Sequence, residues 1–137
     1  MRSDTILIID DEPMIRHLAA RILDRAGYRT ISAANGIQGL ALFRRERPAL
    51  VITDLIMPER EGIETIRCIL HEGADTPIIA ISGGTLTGTA DFLAMARELG
   101  ATAILRKPFE PIELLLLVER CLGDESVSTN SRANLAD

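Results

Sequence analysis

Tryptophan is absent from this 137-residue chain, and one tyrosine and three phenylalanines bring the aromatics to only 3%. Any core must therefore be built from aliphatic side chains. Long apolar runs are missing too. The longest, Phe92–Ala96 and Leu114–Val118, are five residues each, far short of the roughly 20 that span a bilayer. Ile6–Ile9 is too short for the apolar core of a signal peptide and runs directly into acids. The expected location is cytoplasmic, with no membrane partner. No dense Lys/Arg cluster occurs and the net charge is −5, which argues against a nucleic-acid partner. The two cysteines, Cys68 and Cys121, lack metal-ligand spacing and are expected to be buried as small apolar residues.

What remains is an ordinary globular composition, 47% apolar, at single-domain length. Short β-branched runs alternate with segments of helical period. Strands are expected at Thr5–Ile9, Tyr28–Ala33, Leu50–Thr53, Pro77–Ser82 and Ala103–Leu105. Helices are expected at Pro13–Ala26, Gly36–Arg47, Glu61–Glu72, Thr89–Leu99 and Pro111–Leu122. Pro13 suits a first helical turn, where its missing N–H costs nothing. Ile15, Leu18, Ala19 and Ile22 share one face of the first helix. The apolar third and fourth strands should be central, and Arg29, Thr30 and Ser32 mark the second as an edge. Strict alternation of this kind predicts an α/β fold, a five-stranded doubly wound parallel sheet. Residues 124–137 are polar and hold only Val127 and Leu135 as bulky apolar side chains. They are expected to form a disordered tail after a single domain spanning residues 1–123.

The chemistry lies where the strands end. The first runs into Asp10-Asp11-Glu12, the third into Asp54, the fourth into Ser82-Gly83-Gly84 and the fifth into Lys107-Pro108-Phe109. In an open parallel sheet, ligands bind outside the carboxyl ends of the strands. Three carboxylates, a hydroxyl and an ammonium would meet there. Carboxylates held together repel unless a cation relieves them or a pKa rises, and Mg²⁺, hard and satisfied with few protein ligands, is the natural cation. The expected oxygen donors are the Asp11 and Asp54 carboxylates and the Ile56 carbonyl, with Asp10 acting mainly through water. A carboxylate can attack phosphorus to form an aspartyl-phosphate; Lys107 and the Ser82 hydroxyl would then meet phosphoryl oxygens. Each piece has a plainer reading by itself: a helix cap, a turn, a solvated lysine. It is their joint arrangement, each at the end of a different strand, that points to a site.

These residues resemble the receiver domains of two-component response regulators over about residues 5–122. The acidic pair Asp10-Asp11, the segment Asp54-Leu55-Ile56-Met57-Pro58 with Gly62, the hydroxyl of Ser82, and Gly100-Ala101 with Lys107-Pro108-Phe109 carry the resemblance. It implies a flavodoxin-like (βα)5 fold with strand order 2-1-3-4-5 and a cis peptide before Pro108. It implies Asp54 as phosphoacceptor, Asp10 and Asp11 as Mg²⁺ residues, Ser82 as a switching hydroxyl and Lys107 as a phosphate ligand. The implied donor is a sensor histidine kinase or a histidine phosphotransfer protein. A downstream protein, or a second copy, would use the surface of the fourth helix, fifth strand and fifth helix. Such a domain catalyses its own phosphorylation and dephosphorylation and turns over no independent substrate. Ile104 departs from the aromatic often found three residues before the lysine.

Three rivals make different demands. An aspartate-nucleophile phosphatase needs a second acid two residues after the nucleophile, where Ile56 stands. A flavin module of similar topology needs a phosphate loop after its first strand, where acids would repel the phosphate. A degenerate receiver, serving only as an interaction module, has no need of the full acid, hydroxyl and lysine set.

Overall fold

The computed structural model describes residues 5–54, 61–73, 75–82, 94, 97, 98 and 100–123. Among them the elements run β1 (Thr5–Ile9), α1 (Pro13–Arg25), β2 (Arg29–Ala33), α2 (Gly36–Glu46), β3 (Leu50–Asp54), α3 (Glu61–Glu72), β4 (Ile78–Ser82), β5 (Ala103–Arg106) and α4 (Pro111–Leu122). The expected helix over 89–99 lies mostly outside the described residues, although Ala94, Arg97 and Glu98 within it are helical. The segment 124–137 and Ile56 also lie outside them.

All four strand pairings are parallel, and the sheet order is β2-β1-β3-β4-β5. The most apolar strands, β1, β3 and β4, are interior, and the polar β2 is an edge as its composition requires. Period-2 alternation divides the sheet between two cores. Ile6, Ile8, Leu50, Ile52, Ile79, Ile81 and Leu105 pack with Ala19 and Leu23 of α1 and Leu114 and Val118 of α4. Leu7, Ile9, Val51, Ile78 and Ala80 face Phe43 of α2 and Ile66 and Ile69 of α3. Gly39 lets α2 lie directly on β1, since a Cβ there would stand 2.7 Å from Ile9 Cγ1. Among the described residues no helix is long and apolar enough to cross a membrane.

The expected burial of the cysteines is met only in part: Cys68 is exposed, while Cys121 is partly covered and packs against the core. The inward face of α3 is set by Thr65, Ile66 and Ile69, and Cys68 lies about 100° round the helix from the middle of that face. Leu18 is 42% exposed, because α1 seats on the sheet through Ala19 and Leu23, one position further round. Leu18 instead lines an open groove of about 580 Å³ between α1 and α4, with Met14 and Leu115.

Candidate functional site

Register brings the site together. Ile9 pairs with Thr53, so the next residues along, Asp10 and Asp54, emerge side by side at the carboxyl end of the sheet. Ser82 pairs with Arg106, which sets Lys107 just beyond the same end. Alternation then chooses the face. Ile8, Ile52 and Leu105 all sit in the core beneath α1 and α4, and the residues two positions on are Asp10, Asp54 and Lys107. The Lys107–Pro108 peptide bond is cis.

Lys107 is the hub. Its Nζ lies 3.1 Å from Asp10 Oδ2, 3.2 Å from Asp54 Oδ2 and 2.9 Å from Glu12 Oε1. Asp10 and Asp54 are buried while Asp11 and Glu12 are exposed. Asp10 is held on every side. Its N–H donates to the Ala33 carbonyl at 3.1 Å, its own carbonyl accepts from Arg16 Nη1 at 2.7 Å, and its Oδ1 accepts from the Glu12 N–H at 2.9 Å. Oδ2 accepts no hydrogen bond among the described residues. It meets the lysine as an ion pair at 3.1 Å.

The electrostatics follow. Burial pushes the Asp10 carboxyl above its usual pKa, against the lowering effects of the Glu12 N–H and of Lys107. Burial alone would lower the Lys107 pKa. The hydrogen bond to Glu12 and the charges of Asp54 and Asp10 outweigh it and raise the group above the ordinary lysine range, so it remains an ammonium.

The cluster fits a divalent cation. One carboxylate oxygen each from Asp10, Asp11, Glu12 and Asp54 lie within 4.8 Å of one another. Octahedral Mg²⁺, with oxygens at about 2.1 Å, needs opposite ligands about 4.2 Å apart. The donor set is hard oxygen throughout, and the buried Asp10 Oδ2 without a hydrogen-bond donor is an atom that a cation would satisfy.

Of the residues expected from sequence, Asp10, Asp11, Asp54 and Lys107 come together here. The backbone of Ser82 ends β4 beside them, its side chain lying outside the described part, and Ile56 lies outside it altogether. Two participants were not anticipated. Glu12, expected only as part of an acidic loop, bonds the lysine. Arg16, one turn into α1, clamps the Asp10 carbonyl. The run of three acids was a visible signal for Glu12; a lone arginine on an amphipathic helix gives none.

Comparison with known proteins agrees with this geometry. The family model described as the response regulator receiver domain matches residues 6–119. Sporulation initiation phosphotransferase F of Bacillus subtilis is 34% identical over 122 residues, covering 89% of this chain and 96% of its own length. A probable transcriptional regulator, ycf27, of Porphyridium aerugineum is 38% identical over 136 residues, 98% of this chain and 55% of its own length. The chain thus spans about half the length of several such regulators. The chemotaxis protein CheY4 of Vibrio cholerae has a similar structure, with a TM-score of 0.79 at 30% identity, covering 89% of this chain and 100% of that one. The receiver domain of NtrX from Brucella abortus gives a TM-score of 0.80 at 31% identity, covering 88% of this chain and 99% of its own. Strand order, acidic cluster and bridging lysine therefore have the same explanation as the sequence match: the chain belongs to the response regulator receiver domain family.

Proposed function

We propose that this protein accepts a phosphoryl group on Asp54 from the phosphohistidine of a sensor histidine kinase or a histidine phosphotransfer protein. The observation that carries the reading is the Lys107 ammonium, 3.1 and 3.2 Å from the adjacent Asp10 and Asp54 carboxylates. An Asp54 carboxylate oxygen attacks phosphorus, the new P–O bond forms as the P–N bond breaks, and the departing imidazole nitrogen keeps the bond pair and gains a proton. Lys107 neutralises one phosphoryl oxygen, and the Ser82 hydroxyl meets another. Asp10, Asp11 and Asp54, with the Ile56 carbonyl, would hold Mg²⁺, Asp10 mainly through water. When bound, the cation supplies further neutralisation of phosphoryl charge.

The protein modifies itself and turns over no separate substrate. Its output is a cytoplasmic protein–protein contact made by the domain of residues 1–123. The surface near β5 and α4 supports this: Ile112 and Leu116 are exposed there, and a cavity of about 450 Å³ beside Ile104 is lined by Arg106, Leu116 and Arg120. A downstream protein or a second copy would bind it. The phosphotransferase name of the Bacillus relative supports a relay role.

The test is labelling by a radioactive small phosphodonor with Mg²⁺. Stoichiometric base-labile label on the wild type, lost in Asp54→Asn, is expected; label retained on the variant overturns the assignment. Ile104, half-buried against the α2 and α3 core in place of an aromatic, favours a second reading as a phosphorylation-independent interaction module. An unlabelled wild type would support that reading.

A further inference from the structure

We infer that Glu12 is a positioning residue that holds the Lys107 ammonium at the mouth of the site and so restrains phosphoryl transfer to Asp54, an inference that rests on the phosphoacceptor reading above. Glu12 is the N-cap of α1, yet its side chain caps nothing. The starts of α2 and α4 are closed by side chains of their own first turns. Asn35 accepts from the Gln38 N–H at 2.8 Å at the start of α2, and at the start of α4 the Glu113 carboxylate accepts from the Glu110 N–H at 2.8 Å. Glu12 turns away from its own helix end and reaches Lys107, 95 positions along the chain, at 2.9 Å. That is the shortest of the three contacts that Lys107 makes with carboxylates.

The three carboxylates differ in access. The side chains of Asp10 and Asp54 are 0% and 3% exposed, that of Glu12 58%. An ammonium has three N–H donors, and among the described residues three carboxylates surround it. Lys107 donates to Glu12 and Asp54 and meets Asp10 as an ion pair, so a phosphoryl oxygen arriving from solvent must share the ammonium with these charges, and Glu12 is the one that stands at the entrance. The contact and the incoming group therefore compete for the same ammonium.

The test is a double-mutant cycle on the full chain with phosphoramidate as donor at saturating Mg²⁺. Glu12→Gln and Glu12→Ala should each raise the second-order labelling rate, on the order of fivefold for a partly exposed ion pair. In a Lys107→Ala background the same changes should have no effect. An equal gain in that background would show simple repulsion of the anionic donor and overturn the inference, as would an unchanged rate beside an intact Lys107. Mg²⁺ titration is the control: a loss of affinity matching the rate change would make Glu12 a metal ligand instead. A readout free of donor separates the two proposals. The Lys107 Nζ resonance of the metal-free protein should shift in Glu12→Gln. It also decides the matter if Lys107→Ala labels too slowly to measure: no shift overturns the contact. If the shift occurs and the wild type never labels, the phosphoacceptor reading fails and takes the kinetic role with it.

Discussion

Asp10 Oδ2 and Lys107 Nζ stand 3.1 Å apart, yet burial still leaves the Asp10 carboxyl above its ordinary pKa. The ion pair does not fully offset desolvation. The site carries a charge that the metal-free protein accommodates at a cost in stability, as expected of a cluster awaiting a cation.

Asp10→Asn should therefore stabilise the metal-free protein, by about 1 kcal/mol or more, because Lys107 keeps Glu12 and Asp54 as partners. The pH dependence has a definite sign. A carboxyl whose folded pKa is raised contributes stability that is fully present below its unfolded value near 3.8 and is lost as pH rises through the folded pKa. The advantage of the variant should accordingly grow as pH rises above that value. Urea unfolding of both proteins between acid and neutral pH checks this, and an advantage that shrinks instead would show that the charged form is the favoured one. Added Mg²⁺ should stabilise the wild type more than the variant.

Asp11→Ala separates the metal role from the electrostatic one. Asp11 is exposed, so its loss should change metal-free stability little, with at most a small gain from relieved repulsion. Mg²⁺ affinity should fall at least about tenfold, since even residues that only support a ligand contribute that much. Calorimetric titration with Mg²⁺ is the measurement. Unchanged affinity would remove Asp11 from the ligand set.

Gly39→Ala sets helix propensity against packing. Alanine in mid-helix gains about 1 kcal/mol over glycine. The new Cβ, however, would lie 2.7 Å from Cγ1 of the fully buried Ile9, and overpacking typically costs about 1–3 kcal/mol. Packing should win, giving net destabilisation of about 1 kcal/mol. Ile9 immediately precedes Asp10, so Mg²⁺ affinity should weaken as well. A more stable variant would mean that Ile9 repacks freely.

Much of this was legible because strand signals are periodic. Ile6–Ile9 and Leu50–Ile52 alternate between two cores, and the same alternation, carried to the strand ends, orients Asp10 beside Asp54. The polar residues of β2 declared an edge. Periodicity stops where the strand stops, so nothing in the pattern turned Glu12 away from its helix cap toward Lys107. Helical stripes misled in a different way. The apolar stripe of α1 is wider than the strip that touches the sheet, which leaves Leu18 and Met14 at the groove with α4. The apolar character of Cys68 favours an inward place, but its phase relative to Ile66 and Ile69 turns it out.

Arg16 clamps the loop that carries the acidic pair. Its guanidinium donates to the Asp10 carbonyl at 2.7 Å across one turn of α1. That bond, with the Asp10 N–H on Ala33, fixes the peptide from which both Asp10 and Asp11 project. A hydrogen bond from a charged donor contributes about 1.5–3 kcal/mol, so Arg16→Ala should lower stability by about that much. It should also free the loop to wander, and metal ligands gain affinity from being held in place. Mg²⁺ binding should therefore weaken in the folded variant, measured well below its unfolding midpoint. Arg16→Lys keeps the charge and one donor and should recover part of both losses. The alternative is that Arg16 only anchors the helix. Stability would then fall while Mg²⁺ affinity stayed at the wild-type value, and lysine would restore stability alone.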